Sequence, residues 1–178
     1  MDLSFRFDRW LDALPTSPRD EGVVHRLVVR PTNGERATPE TISVTAEDGI
    51  AGDRWATSEH RAPGNQVSLI NVHILRGVAD GDEARMPLSG DNLQVDLDLS
   101  QENLPVGTRL EIGSAVLEIS PMPHRPCTTF RSHFDANGAK KVARADRLGR
   151  RGRGVLCQVV TDGEIRRGDR IRVLRPAQ

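Results

Sequence analysis

A chain of 178 residues is long enough for one domain that buries roughly 70% of its unfolded surface, so its core needs no disulfide or metal staple. Its 25 basic and 25 acidic residues cancel, which excludes a global field that gathers nucleic acid or anionic membrane. No run approaches the ~18 apolar residues of a membrane span, and the N-terminus has no basic-then-apolar leader, so a cytoplasmic location is expected.

Leu3, Phe7, Trp10, Leu11 and Leu14 recur at helical spacing before Pro15-Thr16-Ser17-Pro18. They predict an N-terminal helix and linker over residues 1–18 that docks on a main domain over 19–178. A strand from Val23 ends at Pro31, and Ile42-Ser43-Val44-Thr45 alternates as a second strand after Asn33-Gly34. Gly49 to Trp55 is a glycine-punctuated loop, and Ser58 to Gly64 is a polar one. Gln66 to Ile70 is strand-like, and Val72, Leu75, Val78 and Ala79 then take helical period with Asn71, or its neighbour in register, as the expected cap. Leu93-Gln94-Val95 is another strand. Thr108 to Ile112 and Ala115 to Ser120 flank Gly113-Ser114, which fits a tight hairpin. Thr128 to Phe134 reads as a short helix, Arg144 to Gly154 as an arginine-rich turn, and Val155 to Leu174 as a β-rich end. Short, evenly punctuated strands outnumber helices, so the class is mostly β, a barrel or sandwich with a few short helices.

The stretch Pro121-Met122-Pro123-His124-Arg125-Pro126-Cys127 is too rich in proline for an interior strand and displays a thiol on a stiff loop. A free thiol is only slightly ionised at neutral pH, so nucleophilic or ligand chemistry needs a local cation. His124, Arg125 and the start of the following helix are the candidates for that role. The opposing reading packs Cys127 under the loop as a small hydrophobe. Cys157 lies in Gly154-Val155-Leu156-Cys157-Gln158-Val159-Val160, an interior strand where a structural role is expected.

All but two of the 25 basic residues are arginines, a bias that genome composition alone can produce. Arg144, Arg147, Arg150, Arg151 and Arg153 gather among glycines, which suits a small anionic ligand or plain solvation. The scarcity of aromatic platforms argues against nucleic acid. No histidines stand at zinc-hydrolase spacing, so a metal would have to arrive inside a cofactor. Pyridoxal phosphate is disfavoured: its aldimine needs a lysine, and Lys140 and Lys141 fall in a polar segment expected to be exposed.

In chain order, Val23 to Pro31, Gly49-Ile50-Ala51-Gly52-Asp53-Arg54-Trp55, Gln66 to Asn71, Ser89-Gly90-Asp91-Asn92-Leu93, Leu104 to Gly113, Pro126-Cys127, Arg151 to Val155 and Gly163 to Asp169 resemble the MOSC domain, named for the C-terminal domain of molybdenum cofactor sulfurases. The resemblance implies a β-barrel and a loop cysteine, matching Cys127, that carries sulfur as a persulfide or ligates molybdenum. It implies the molybdenum cofactor (molybdopterin) as ligand and, in some relatives, reduction of N-hydroxylated compounds. A cysteine desulfurase or an electron-transfer reductase is the implied partner. Asp53, Arg54, Asn71 and Asn92 sit in matched motifs and are candidate cofactor contacts, with Arg150 and Arg151 for the cofactor's phosphate. His60 joins them, although relatives carry His-Gly-Gly where this chain has His60-Arg61-Ala62-Pro63-Gly64. The alternative is a binding module without turnover, holding a pterin-type or other small anion.

Overall fold

In the computed structural model, residues 3–175 are described, with side chains from residue 5. The ends of the expected N-terminal extension and barrel domain, residues 1–2 and 176–178, lie outside them. Ten strands form among the described residues: β1 (Glu21–Leu27), β2 (Thr41–Thr45), β3 (Gly49–Ile50), β4 (Val67–Asn71), β5 (Leu93–Asp96), β6 (Arg109–Ile112), β7 (Ala115–Ile119), β8 (Val155–Thr161), β9 (Gly163–Arg166) and β10 (Arg170–Leu174). Seven of them close a barrel in the order β1-β10-β6-β7-β8-β4-β5, and β3-β2-β9 make a small side sheet.

Alternation in the sequence puts one apolar set inside. Leu69, Leu93, Val95, Leu110, Ile112, Leu117, Ile119, Cys157, Val159 and Ile171 share the barrel core. The pairs in the barrel are antiparallel except β4 with β5, where Leu69, Ile70 and Asn71 align with Leu93, Gln94 and Val95. Parallel neighbours need a crossover, and α2 (Val72–Val78) supplies it. Asn71 starts that helix by accepting from the backbone N–H groups of His73 at 3.0 Å and Ile74 at 3.1 Å.

β4 is buried on both faces. Outside the barrel, Ile70 packs into a second core with Ile74, Leu75, Val78, Phe130, Phe134 and Val142, contributed by α2, α3 (Thr128–His133) and α4 (Ala136–Arg147). Helix α4 is an element that the sequence reading missed. Its buried stripe is only Gly138, Val142 and Ala145. Gly138 lies so close to α2 that an added Cβ would stand 3.1 Å from Val78 Cγ1. The first helix, α1 (Leu3–Asp12), is tied to α4 by Arg144, whose Nε and Nη2 donate to the Asp8 carboxylate at 2.6 and 2.8 Å. Lys141 is not exposed as the sequence suggested: its Nζ donates to the Gly77 carbonyl at 2.7 Å and stands over the Trp10 ring.

Candidate functional site

Three segments meet on the outer side of β4 and β5, and residues 90–92 register them. Gly90, with φ of 75°, leaves room for the Arg36 guanidinium, which an added Cβ would approach to 3.2 Å. Asp91 and Asn92 are fully buried. Asn92 spends both ends of its amide: Oδ1 accepts from the Ser68 N–H and hydroxyl at 3.1 Å, and Nδ2 donates to Val28 O at 3.1 Å and Asp53 Oδ2 at 3.2 Å. Asn92 therefore holds Asp53 in place and has little left to offer a ligand.

Asp53 in turn accepts from Arg30 through the backbone N–H (2.9 Å), Nε (3.0 Å) and Nη2 (2.9 Å), and from the Trp55 N–H at 3.0 Å. Burial raises its pKa, but these donors outweigh burial and hold the carboxyl below its ordinary value. Arg54, next in sequence, donates to Asn33 Oδ1 at 2.8 Å. Arg36 donates to the Glu35 carbonyl at 2.8 Å, and its buried Nε has no partner among the described residues. Burial first, then Arg54 and Arg30, push the Arg36 guanidinium below its ordinary pKa, with Asp53 and Cys127 opposing. Three guanidinium groups thus lie near one carboxylate, and among the described residues only Arg30 contacts it. Neither Arg36 nor Arg54 is paired with a carboxylate among the described residues, so the local charge stays positive before any ligand arrives.

Arg30, Arg54, Trp55, His60 and Asn65 line a compartment of about 560 Å³ here. His60 is exposed at its edge, and its carbonyl accepts from Asn65 Nδ2 at 3.1 Å. Trp55 is fixed by its Nε1–H donating to Asn65 Oδ1 at 2.6 Å.

Cys127 is exposed on the facing loop, immediately before the six-residue α3, and its Sγ accepts from the Phe130 N–H at 3.4 Å. Cys127 is the weakest of the five influences on the Arg36 guanidinium, which puts the two within electrostatic reach of each other. Arg125 is exposed and makes no hydrogen bond among the described residues.

His124 has a different job from the thiolate partner expected of it. Its Nε2 meets Asp91 Oδ1 at 2.8 Å, and Asp91 also takes Arg153 Nη1 at 2.6 Å. Burial alone would raise the Asp91 pKa; Arg153 and His124 instead hold it far below the carboxylate range. An ionised carboxylate only accepts, so His124 Nε2 carries the proton. Burial and Arg153 lower the imidazole pKa against the pull of Asp91, which keeps the ring neutral near pH 7. A neutral ring lends no positive charge to the thiol.

On the far side of this loop, Gln101, Val106, Met122, His124, Asp146 and Arg151 border a second cleft of about 530 Å³, which meets the first at Leu156. Arg151 is tied to the Leu99 and Leu104 carbonyls at 3.2 and 2.7 Å. Asn71 and Arg150 stand apart from the cysteine, along a groove beneath residues 14–17. There Asn71 caps α2 and donates to Ser17 Oγ, and Arg150 faces Asp12 at 3.8 Å.

The arginine-rich turn is therefore not one cationic patch, since Arg144, Arg150, Arg151 and Arg153 each have separate partners. Arg30, Arg36 and Asp91 are site residues that the sequence does not single out, and Arg153, expected among the arginines open to an anion, is instead spent on Asp91. Asp91 and Arg153 stood inside quoted motifs, whereas nothing local marks Arg36. Among the described residues no group of three or more His, Cys, Asp or Glu side chains is placed to hold a metal ion.

The family model of the MOSC domain matches residues 56–172, more than half of the chain and including Cys127. The chain belongs to the MOSC domain family. Of solved structures, the YuaD protein from Bacillus subtilis superposes with a TM-score of 0.63 at 20% identity, covering 86% of this chain and 95% of that one. YiiM from Escherichia coli gives 0.57 at 19% identity, covering 92% and 72%. At these identities the likeness concerns the MOSC fold alone. No curated protein matches the chain significantly. No described helix is long and apolar enough to cross a membrane.

Proposed function

We propose that this MOSC protein holds the molybdenum cofactor on the outer face of β4 and β5, with Cys127 as its thiolate ligand. The observation that carries this reading is the orphaned Arg36. A buried Nε without a partner among the described residues, within electrostatic reach of Arg30, Arg54 and an exposed thiol, is a donor set left open for an anion. A phosphate carries about −1.5 to −2 charges at neutral pH, which complements three guanidinium groups near one carboxylate. His60, Trp55 and Asn65 line the space beside them.

When bound, the cofactor supplies two-electron chemistry at its metal. Arg36 and Arg54 bind the anionic end, Asp53 and Asn92 keep Arg30 oriented, and Cys127 presents its sulfur. On this reading reduction of an N-hydroxylated compound calls for an electron-transfer reductase as partner. The same thiol serves as a persulfide carrier if a cysteine desulfurase loads it.

The test is pterin and molybdenum content of protein purified from a host that makes the cofactor. Wild type should retain both, Cys127→Ala should lose metal, and Arg36→Ala should lose pterin and metal together. Equal contents in all three would sink the reading. Intact-mass analysis after incubation with a cysteine desulfurase separates the two thiol roles: a sulfur adduct in wild type that Cys127→Ala lacks supports carriage.

A further inference from the structure

The loop that presents Cys127 has almost nothing to hold it. Pro121, Pro123 and Pro126 have no N–H to give, and residues 123–126 form no backbone hydrogen bond to the barrel among the described residues. Their one polar tie is His124 Nε2 to Asp91. Three residues beyond the cysteine, Phe130 lies under Arg153, with the guanidinium carbon 4.6 Å from the ring centroid. The Phe130 N–H also donates to Cys127 Sγ.

We propose that the buried Asp91–Arg153 pair is a two-armed clamp that positions Cys127, gripping the chain three residues before it through His124 and three residues after it through Phe130. Asp91 is 0% exposed and Arg153 4%. A buried ion pair is weak evidence for stability, since apolar side chains of similar volume often serve the fold as well. What this pair adds is register. Asp91 lies between Gly90, which seats Arg36, and Asn92, which seats Asp53 and Arg30. One three-residue segment therefore fixes the cations and, through the clamp, the thiol that faces them. Asp91, Arg153, His124 and Phe130 are positioning residues, not groups that touch the ligand.

The inference rests on the reading that Cys127 faces an arginine cradle, and the test separates the two. Purified protein is alkylated with anionic iodoacetate and with neutral iodoacetamide, and the ratio of the two rates is taken. Cys157 is buried and does not compete in the native state. A cation about 4 Å from a thiolate in water favours an anionic reagent by about fivefold, and that is the upper size of the preference expected here. Arg36→Ala should remove that preference directly. His124→Ala and Phe130→Leu should each lower it, Asp91→Asn should abolish it, and His124→Gln, which keeps a donor for Asp91, should restore most of it. General loosening of the fold speeds both reagents and labels Cys157 as a second adduct, so it is distinguishable from misplacement. No preference in wild type would sink the cradle reading. A wild-type preference that survives in both His124→Ala and Phe130→Leu would overturn the clamp.

Discussion

Cys157 and Cys127 have the same side chain and opposite surroundings. Cys157 is paired across strands with Val67 and Ile119 inside the barrel, and burial pushes its thiol up to about 12. Cys127 stands exposed on a loop whose polar supports are the buried Asp91 and Arg153 and, across the surface, the buried Asp53 with the half-buried Arg30. The barrel interior tolerates exchange of one apolar shape for another, because burial is non-directional. The outer face does not, because each buried charge there depends on a particular partner. Fold and site are thus held by different forces in adjacent layers, and substitutions separate them.

The largest effect is expected at the clamp. Asp91→Ala leaves the Arg153 guanidinium buried without its counter-ion and should cost about 3–5 kcal/mol in urea unfolding. Replacing both partners together, Asp91→Leu with Arg153→Met, should cost much less, whereas simple additivity would make it cost more. If the double variant is the less stable, the pair is a stability device and the contrast between the layers fails.

Next is alkaline stability, which isolates the inner cysteine. A thiol whose folded pKa is raised contributes stability that is fully present below its unfolded pKa near 8.5. That stability is lost as pH rises toward the folded value of about 12. At pH 10 the loss should reach about 2 kcal/mol. Cys157→Val should match wild type near pH 7 and be the more stable of the two at pH 10. The acid limb has the opposite sign: Asp53 and Asp91 have depressed pKa values, so their contribution is present above about pH 4 and disappears as they protonate. Thermal melts across pH 2–10 measure both limbs.

The layers also differ in how far the sequence exposes them. Short apolar runs bounded by turn residues announced strands of the barrel, alternation announced β2 of the side sheet, and Gly113-Ser114 announced the clearest hairpin, since these signals are local. Asn71 was expected to cap α2 and does. Helix α4 went unseen because Asn137-Gly138 imitates a turn and only three of its residues are buried. The site was legible as far as its motif residues, yet their roles were not. Asn92, Asn71 and His124 look ligand-ready in sequence, and each is spent on internal hydrogen bonds. Arg36 is far from Cys127 along the chain, and only the glycine gap at position 90 seats it in the site.

Asn71→Ala should give an intermediate effect, a loss of about 1 kcal/mol for the cap, with somewhat more because Nδ2 also holds Ser17 and the Leu97 carbonyl. Its pterin content should match wild type, because the side chain caps α2 and lines the separate groove beneath residues 14–17. Loss of pterin at unchanged stability would return Asn71 to the site.

The smallest stability effect should accompany a large functional one at Arg54. Its side chain donates to Asn33 and has no carboxylate partner among the described residues, so Arg54→Ala should stay within about 0.5 kcal/mol of wild type. Its charge nonetheless acts on Arg36, and its side chain lines the compartment with Arg30, Trp55 and His60. Pyrophosphate, used as a competing anion, should slow iodoacetate labelling of Cys127 in wild type and do so several-fold less effectively in Arg54→Ala. The protection in wild type should weaken steeply with added salt, because exposed charges are screened beyond about 10 Å at 0.1 M ionic strength. A residue that the fold can lose without cost but the anion cannot is what a ligand cradle requires. Equal protection in both proteins would instead restrict the cradle to Arg30 and Arg36.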